Sequence, residues 1–257
     1  MVDFCYIGPS RAGSTWFYVN MNKHPQVEFP LGKITHFWDE HYKGGHVYKR
    51  KYEKRSVEWY LEKHKPKYNK KIGDVTESYA VMDKDKIKAF YDNCPNTKLF
   101  YCLRNPMDIS WSACKLVAPR HLGNINNACF DEIIEYILGK WDMCSTKAYE
   151  YKNCDLVENI KKWISIFPEN NFYVYYFDKI STKPKLLLKE MSDFINIERT
   201  HWDKINEKEL KQYVNESKNI SIRQDVKDFI TETFMPKIEE LEKFTGNDLS
   251  HWKEKWQ

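Results

Sequence analysis

The stretch from Asp3 to Trp16 constrains this chain more than any other. An apolar run, Phe4–Ile7, enters the turn Gly8-Pro9-Ser10-Arg11-Ala12-Gly13 and leaves it into Ser14–Asn22, which reads as a helix. A strand, a glycine-bearing turn and a helix in that order leave backbone N–H groups at the helix N-terminus facing one small concavity, an anion cradle. The spacing Gly8-x4-Gly13 is that of a Walker-type phosphate loop, yet Ser14 stands where that motif has its Lys. The cation has moved inside the turn, to Arg11, and no apolar strand ending in a magnesium-holding Asp follows. These departures disfavour a metal-dependent nucleoside triphosphatase, and no metal site is expected.

A single strand–loop–helix unit cannot bury its own sheet face, so further units of the same kind must complete it. The chain supplies them. Lys71–Val75 is a short strand, Asp83–Asn93 an amphipathic helix and Thr97–Leu103 a buried strand by its continuous apolar run. A second loop-to-helix junction starts at Arg104-Asn105-Pro106, with Pro in a first helical turn. Long helices are expected over Asp131–Tyr151 and Leu156–Phe167, a last core strand over Asn171–Phe177, and helices over Lys183–Ile195 and Arg223–Phe244. The alternation predicts a three-layer α/β fold, P-loop-like, with a central, mostly parallel sheet flanked by helices. No repeat and no Gly/Ser-rich linker interrupts the chain, so residues 1–257 are expected to form one domain.

Charge and cysteine content narrow the function. Forty-one Lys and Arg against 37 Asp and Glu leave only +4, too balanced for a protein that coats nucleic acid, so any anion site must be local and no nucleic-acid partner is expected. No apolar stretch approaches a membrane span, and Met1 leads directly into the first strand with no secretory leader pattern. The seven cysteines are odd in number and contain no C-x-x-C pair, which fits reduced thiols rather than a disulfide framework or zinc knuckle and points to a cytoplasmic setting. One compositional shift stands out: Lys43–Lys71 holds eleven Lys or Arg against three Glu, a local net of +8. A solvated face is the ordinary reading of such a run. Together with the preceding His41, its His46, Trp59 and Tyr60 would also suit the grip of an anionic or sugar ligand.

Sulfuryl transfer needs no metal: the moving group carries less charge than a γ-phosphoryl, so loop amides and cationic side chains can balance the leaving group. The residues that follow the loop agree with it. They are His24-Pro25 and Pro30, then Lys33-Ile34-Thr35-His36-Phe37-Trp38-Asp39, and about seventy residues later Leu103-Arg104-Asn105-Pro106-Met107-Asp108-Ile109-Ser110-Trp111-Ser112. This ordered set resembles the sulfotransferases that use 3′-phosphoadenosine-5′-phosphosulfate (PAPS), in particular the branch of the heparan sulfate sulfotransferases and their bacterial relatives. Fainter echoes, Gly73–Tyr79, Tyr176–Ile180 and Phe234-Met235-Pro236 with Trp252, carry the likeness across nearly the whole chain.

The resemblance implies roles. Arg11, Ala12, Gly13, Ser14, Thr15 and Trp16 would hold the 5′-phosphosulfate, with Arg11 neutralising the leaving phosphate. Arg104 and Ser112 would share the 3′-phosphate, Lys33 would lie near the transferred sulfonate, and Lys218, in Asn215–Asn219, would reach over the nucleotide. PAPS would be the co-substrate and the bisphosphate PAP the product, with a small-molecule or saccharide acceptor. One departure matters: the family commonly has Glu after the Lys as base, and this chain has Ile34, which cannot accept a proton. His36 becomes the candidate base, since an imidazole titrates near neutrality, with Asp39, Glu40, Asp74 and Glu77 in reserve. A donor-binding module without turnover and a kinase-like phosphotransferase remain the competing classes, and Ser14 in the Walker Lys position speaks against the second.

Overall fold

The computed structural model describes residues 1–39, 55–66, 68–122, 125–140, 148–211 and 220–257. Five strands, β1 (Phe4–Gly8), β2 (Val27–Glu28), β3 (Lys71–Val75), β4 (Lys98–Leu103) and β5 (Phe172–Tyr176), form one sheet in the order β2-β3-β1-β4-β5. Every described pairing is parallel. Between and after them run α1 (Ser14–Met21), α2 (Val57–Lys63), α3 (Lys84–Asn93), α4 (Pro106–Leu122), α5 (Phe130–Ile137), α6 (Tyr149–Asn153), α7 (Leu156–Ile164), α8 (Asp178–Thr182), α9 (Pro184–Ile195), α10 (Glu207–Leu210), α11 (Gln224–Thr245) and α12 (Ser250–Glu254). Among the described residues, no helix is long and apolar enough to cross a membrane.

Strand periodicity divides the core into two halves. In β1 and β4, Cys5, Ile7, Leu99, Tyr101 and Leu103 face one side, where Phe90 of α3, Met107 of α4, Trp163 of α7 and Phe234 of α11 cover them. Phe4, Tyr6, Phe100 and Cys102 face the other, under Phe17 of α1 and Leu187 and Met191 of α9. At the centre of that second half, Phe17 packs on Phe100 with ring centroids 5.0 Å apart, and Phe4 meets Phe100 edge-on at 6.0 Å. Gly73 of β3 makes room for this cluster, because a Cβ there would collide with the rings of Phe4 and Phe29.

The strand order explains where a ligand can sit. β1 has β3 on one side and β4 on the other, and the chain reaches β4 only after completing the β2-β3 edge. The loops after β1 and β4 therefore splay apart at the carboxyl end of the sheet, the place where open α/β sheets bind ligands.

One expectation needs correction. The helix predicted over Asp131–Tyr151 is not continuous: α5 ends at Ile137 and α6 begins at Tyr149. Gly139 adopts a φ of +68°, and a Cβ there would run into the backbone of Ala148. Only glycine fits that close approach, so the helical pattern is overridden by packing of the returning chain. The short β2, α2 and α12 carry too few residues for periodicity to register, and they were not predicted.

Phe17 lies wholly within the core. Phe17→Ala should lower unfolding stability by about 3–5 kcal/mol, measured by equilibrium denaturation; a loss below about 1 kcal/mol would contradict the packing described.

Candidate active site

The anion cradle is built as the spacing implies. β1 ends at Gly8, which has a φ of +133° and lies so close to the turn after β3 that a Cβ there would fall 2.7 Å from the Ala80 Cβ and collide with the Glu77 carbonyl. Arg11 holds a φ of 60°, and Gly13, at 84°, caps α1. The loop is tied from beneath by the Tyr6 hydroxyl, which donates to the Ala12 carbonyl at 2.8 Å. It is tied from the side by Asn153, whose amide accepts from the Ser10 N–H at 2.9 Å and donates to the Ser10 carbonyl at 3.3 Å. Ala12 and Trp16 are buried, and the Trp16 indole donates to the Leu210 carbonyl at 2.6 Å. Their side chains thus belong to the core, and only their backbone belongs to the cradle. Ser14 and Thr15 occupy the first turn of α1, where N–H groups have no intrahelical acceptor.

The junction after β4 converges on the same loop. Arg104 lies with its guanidinium over the Phe177 ring, 4.4 Å from the centroid, and donates to the Arg11 carbonyl. Arg11 in turn donates through Nε to the Ser112 hydroxyl at 3.0 Å. Burial, and then the neighbouring charge of Arg104, pull the Arg11 pKa below its usual value. Two guanidiniums are thus held together in partial burial, an arrangement that gains from an anion.

The other polar residues of the junction are architectural. The Asn105 side chain accepts from Met107 N–H at 2.9 Å and donates to the Trp252 carbonyl at 2.9 Å. Asp108 accepts from the Trp256 indole at 3.0 Å and from Lys255 at 2.7 Å. Together they fasten α4 to α12, which fixes the direction in which Arg104 and Ser112 point.

The third element is the segment Lys33–Asp39, laid along the end of β3. Lys33 bridges Val75 in parallel register, the Ile34 N–H donates to the Val75 carbonyl at 2.7 Å, and the Thr35 N–H donates to the Thr76 hydroxyl at 3.0 Å. Ile34 and His36 have φ values of 65° and 50°, left-handed conformations that are costly for residues with a Cβ. His36 Nδ1 lies 3.2 Å from Asp39 Oδ2 and 3.1 Å from the Ser78 hydroxyl, and that hydroxyl donates to Asp39. Asp39 is buried and His36 half-buried. With a carboxylate at Nδ1, the network assigns the proton to Nδ1 and the basic lone pair to Nε2. Lys33 Nζ sits 3.5 Å from Glu77 Oε2.

Asp74 is not a base in reserve. It is fully buried, and it accepts from the hydroxyls of Tyr60 at 2.7 Å, Thr76 at 2.9 Å and Thr35 at 3.0 Å. Tyr60 is likewise committed to the interior, stacked on Phe37 at 4.3 Å, and offers no platform to a sugar; Trp59, under the Arg55 guanidinium, stays half-buried. Glu40, His41, His46 and Lys218 lie outside the described residues. Sequence reasoning missed Ser78 and Asn153. The triplet Thr76-Glu77-Ser78 directly after β3 was a usable signal for the first, whereas nothing local marks an asparagine 143 residues from the loop it holds.

Asn153 ends α6, and Glu150 on the same helix is also tied to the loop. The nearby Tyr136 hydroxyl and the Arg11 charge favour ionisation of its carboxyl, yet burial dominates and pushes its pKa up to about 7. The residue keeps some surface exposure while the carboxyl itself is enclosed.

A family model described as the sulfotransferase domain matches residues 2–254. Among curated proteins the chain is similar to the membrane-associated sulfotransferase kil1 of Dictyostelium discoideum, 19% identical over 336 aligned positions, covering 99% of this chain and 66% of the relative. The chain thus spans just under two thirds of that relative's length. Among solved structures it is similar in fold to a sulfotransferase from Alicyclobacillus acidocaldarius, with a TM-score of 0.73 and 18% identity over 98% of this chain and 99% of the other.

A folded-state pKa above the unfolded one means that the Glu150 contribution is whole below about 4.5 and is lost as pH rises through about 7. Glu150→Gln should therefore gain on the wild type, by up to about 3 kcal/mol, between pH 4.5 and pH 8. Denaturant melts of both proteins at the two pH values check this; a constant difference would refute it.

Proposed function

Because the chain belongs to the sulfotransferase domain family, we propose that it moves the sulfuryl group of PAPS to a hydroxyl or amine of a small-molecule or saccharide acceptor and releases PAP. The observation that carries this reading is the junction of Arg104, Arg11 and Ser112 beside the first turn of α1. Two partly buried guanidiniums close to a helix N-terminus, with Arg11 held below its usual pKa by burial and by the Arg104 charge, fit a ligand bearing two phosphate groups.

PAPS supplies a sulfuryl group already joined to a good leaving phosphate, so the work left to the protein is positioning and charge balance. Arg11 and the N–H groups of the Gly13–Thr15 turn would hold the 5′-phosphate, and Arg104 with Ser112 the 3′-phosphate. Lys33 would balance charge on the oxygen that departs with PAP. His36, turned by Asp39 and Ser78, takes the acceptor proton at Nε2 while the acceptor oxygen or nitrogen bonds to sulfur and the sulfur–oxygen bond to the phosphate breaks. Asp39 stabilises the imidazolium that results, as the carboxylate of an acid–base–nucleophile triad does. No group in this scheme is a metal ligand. Reduced thiols are consistent with a cytoplasmic setting: Cys5, Cys94, Cys102, Cys114, Cys129 and Cys154 are all free.

PAP should raise the melting temperature far more than 5′-AMP at equal concentration, and Arg104→Ala should erase that preference at a cost on the order of 2–3 kcal/mol in PAP binding. Equal stabilisation by the two nucleotides would refute the donor assignment.

His36→Ala should cut kcat by roughly 10²–10⁴-fold with PAP affinity nearly unchanged. Asp39→Asn, which permits the wrong imidazole tautomer, should follow it at roughly 10²-fold or more. Labelled PAPS and an acceptor panel supply the assay; near-normal turnover in His36→Ala would remove His36 as the base.

A further inference from the structure

We propose that Asn153 is a positioning residue for sulfuryl-donor binding: its side-chain amide fixes the Ser10 peptide and thereby aims the loop N–H groups and Arg11 at the 5′-phosphate end of the donor. This rests on the donor reading above and deepens it.

Asn153 is fully buried at the end of α6, with no solvent to compete for its amide. One amide satisfying both the N–H and the carbonyl of one residue pairs with Ser10 as a neighbouring strand would, so Ser10 cannot rotate without losing both bonds. The next residue needs that restraint. Arg11 holds a φ of 60°, a conformation costing about 1–2 kcal/mol for a residue with a Cβ. Such a residue persists only where its surroundings over-determine it. Relaxation of Arg11 to an ordinary φ would swing its guanidinium away from Ser112 and turn the carbonyl that Arg104 grips.

The restraint comes from both flanks. Asn153 holds Ser10 on one side, and the Tyr6 hydroxyl holds the Ala12 carbonyl on the other. The helix that carries Asn153 is itself fixed against the second half of the site. The adjoining Cys154 thiol contacts the Pro106 carbonyl at 3.5 Å, at the start of α4, and Asn159 donates to the Lys152 carbonyl at 2.7 Å. Through α6, then, the loop after β1 and the junction after β4 keep a set spacing, which a ligand carrying phosphates at both ends requires. An aspartate at 153 would keep the bond from the Ser10 N–H, lose the bond to the Ser10 carbonyl and add negative charge beside an anion site.

The test measures dissociation constants of PAP, 5′-AMP and 3′-AMP for the wild type, Asn153→Ala, Asn153→Asp and Arg104→Ala. Two lost hydrogen bonds predict that Asn153→Ala weakens PAP and 5′-AMP alike, by about 10-fold, and leaves 3′-AMP within about twofold. Asn153→Asp, which keeps the shape of the buried side chain and so tolerates folding if the alanine variant does not, should weaken 5′-AMP and PAP at least as much. Arg104→Ala should show the opposite pattern, losing PAP and 3′-AMP and keeping 5′-AMP. Retained 5′-AMP affinity in the folded Asn153 variants, or equal losses for 3′-AMP and 5′-AMP, would overturn the proposal, because general destabilisation cannot discriminate between the two ends of the nucleotide. A wild type that does not prefer PAP over 5′-AMP would instead overturn the donor reading itself, and with it this inference.

Discussion

A carboxylate without exposed surface, Asp74, holds the segment Lys33–Asp39 and its neighbours in place. Enclosing Asp74 at the end of β3 would cost several kcal/mol if its oxygens were left bare. The chain surrounds it with hydroxyl donors from Thr35, Tyr60 and Thr76, with Tyr79 at a longer 3.4 Å. Burial and the neighbouring carboxylate push the titration of Tyr60 and Tyr79 far upward, so both keep the protons they donate. Each donor comes from a different piece of chain: the Lys33–Asp39 segment, α2, the end of β3, and the turn Glu77–Val81. Removing the charge would release four segments at once.

That turn is where the two halves of the site meet. Gly8 passes the Glu77 carbonyl and Ala80 so closely that no side chain fits, which sets the loop after β1 directly on the turn. On its other side Ser78 donates to Asp39 and contacts His36, while Tyr79 joins the Asp74 cluster. Glu77 adds an ion pair with Lys33 across the gap. The turn Glu77–Val81 thus touches both the loop after β1 and the side chains of Lys33, His36 and Asp39. The spacing of these two parts is set by backbone rather than by long side chains, which suits the proposed in-line transfer.

What the sequence revealed and what it hid follow from interaction range. The cradle was legible because glycine spacing and helix start are local properties of a dozen residues, and β4 was legible because a strand buried on both faces must be apolar throughout. Arg104 and Ser112 could be paired in the sequence because both keep a fixed offset from Pro106, Arg104 two residues before the start of α4 and Ser112 within it. Asp74 looked like a free carboxylate because its donors come from positions 35, 60 and 79, and a hydrogen-bond shell assembled from distant segments leaves no pattern in any window. The break between α5 and α6 was hidden for the same reason. Gly139 is tolerable inside a helix by propensity alone, and what forbids continuation there is the backbone of Ala148 folding back against it.

Thr35 shows how the departure at Ile34 is accommodated. Ile34 and His36 both have positive φ, and an isoleucine in that region is among the least favourable of all residues. Between them Thr35 makes the bonds that hold the conformation: its N–H to Thr76, and its hydroxyl to Asp74 and to the Tyr79 hydroxyl at 2.9 Å. An alternating left-handed, pinned, left-handed backbone puts the side chains of 34 and 36 where a regular strand would not. The apolar Ile34 can therefore stand in the acidic position of the resembled family without unbuilding the site. The geometry of the segment is enforced from β3 through Thr35, and the same backbone conformation turns the His36 imidazole toward Asp39, as the proposed base role requires.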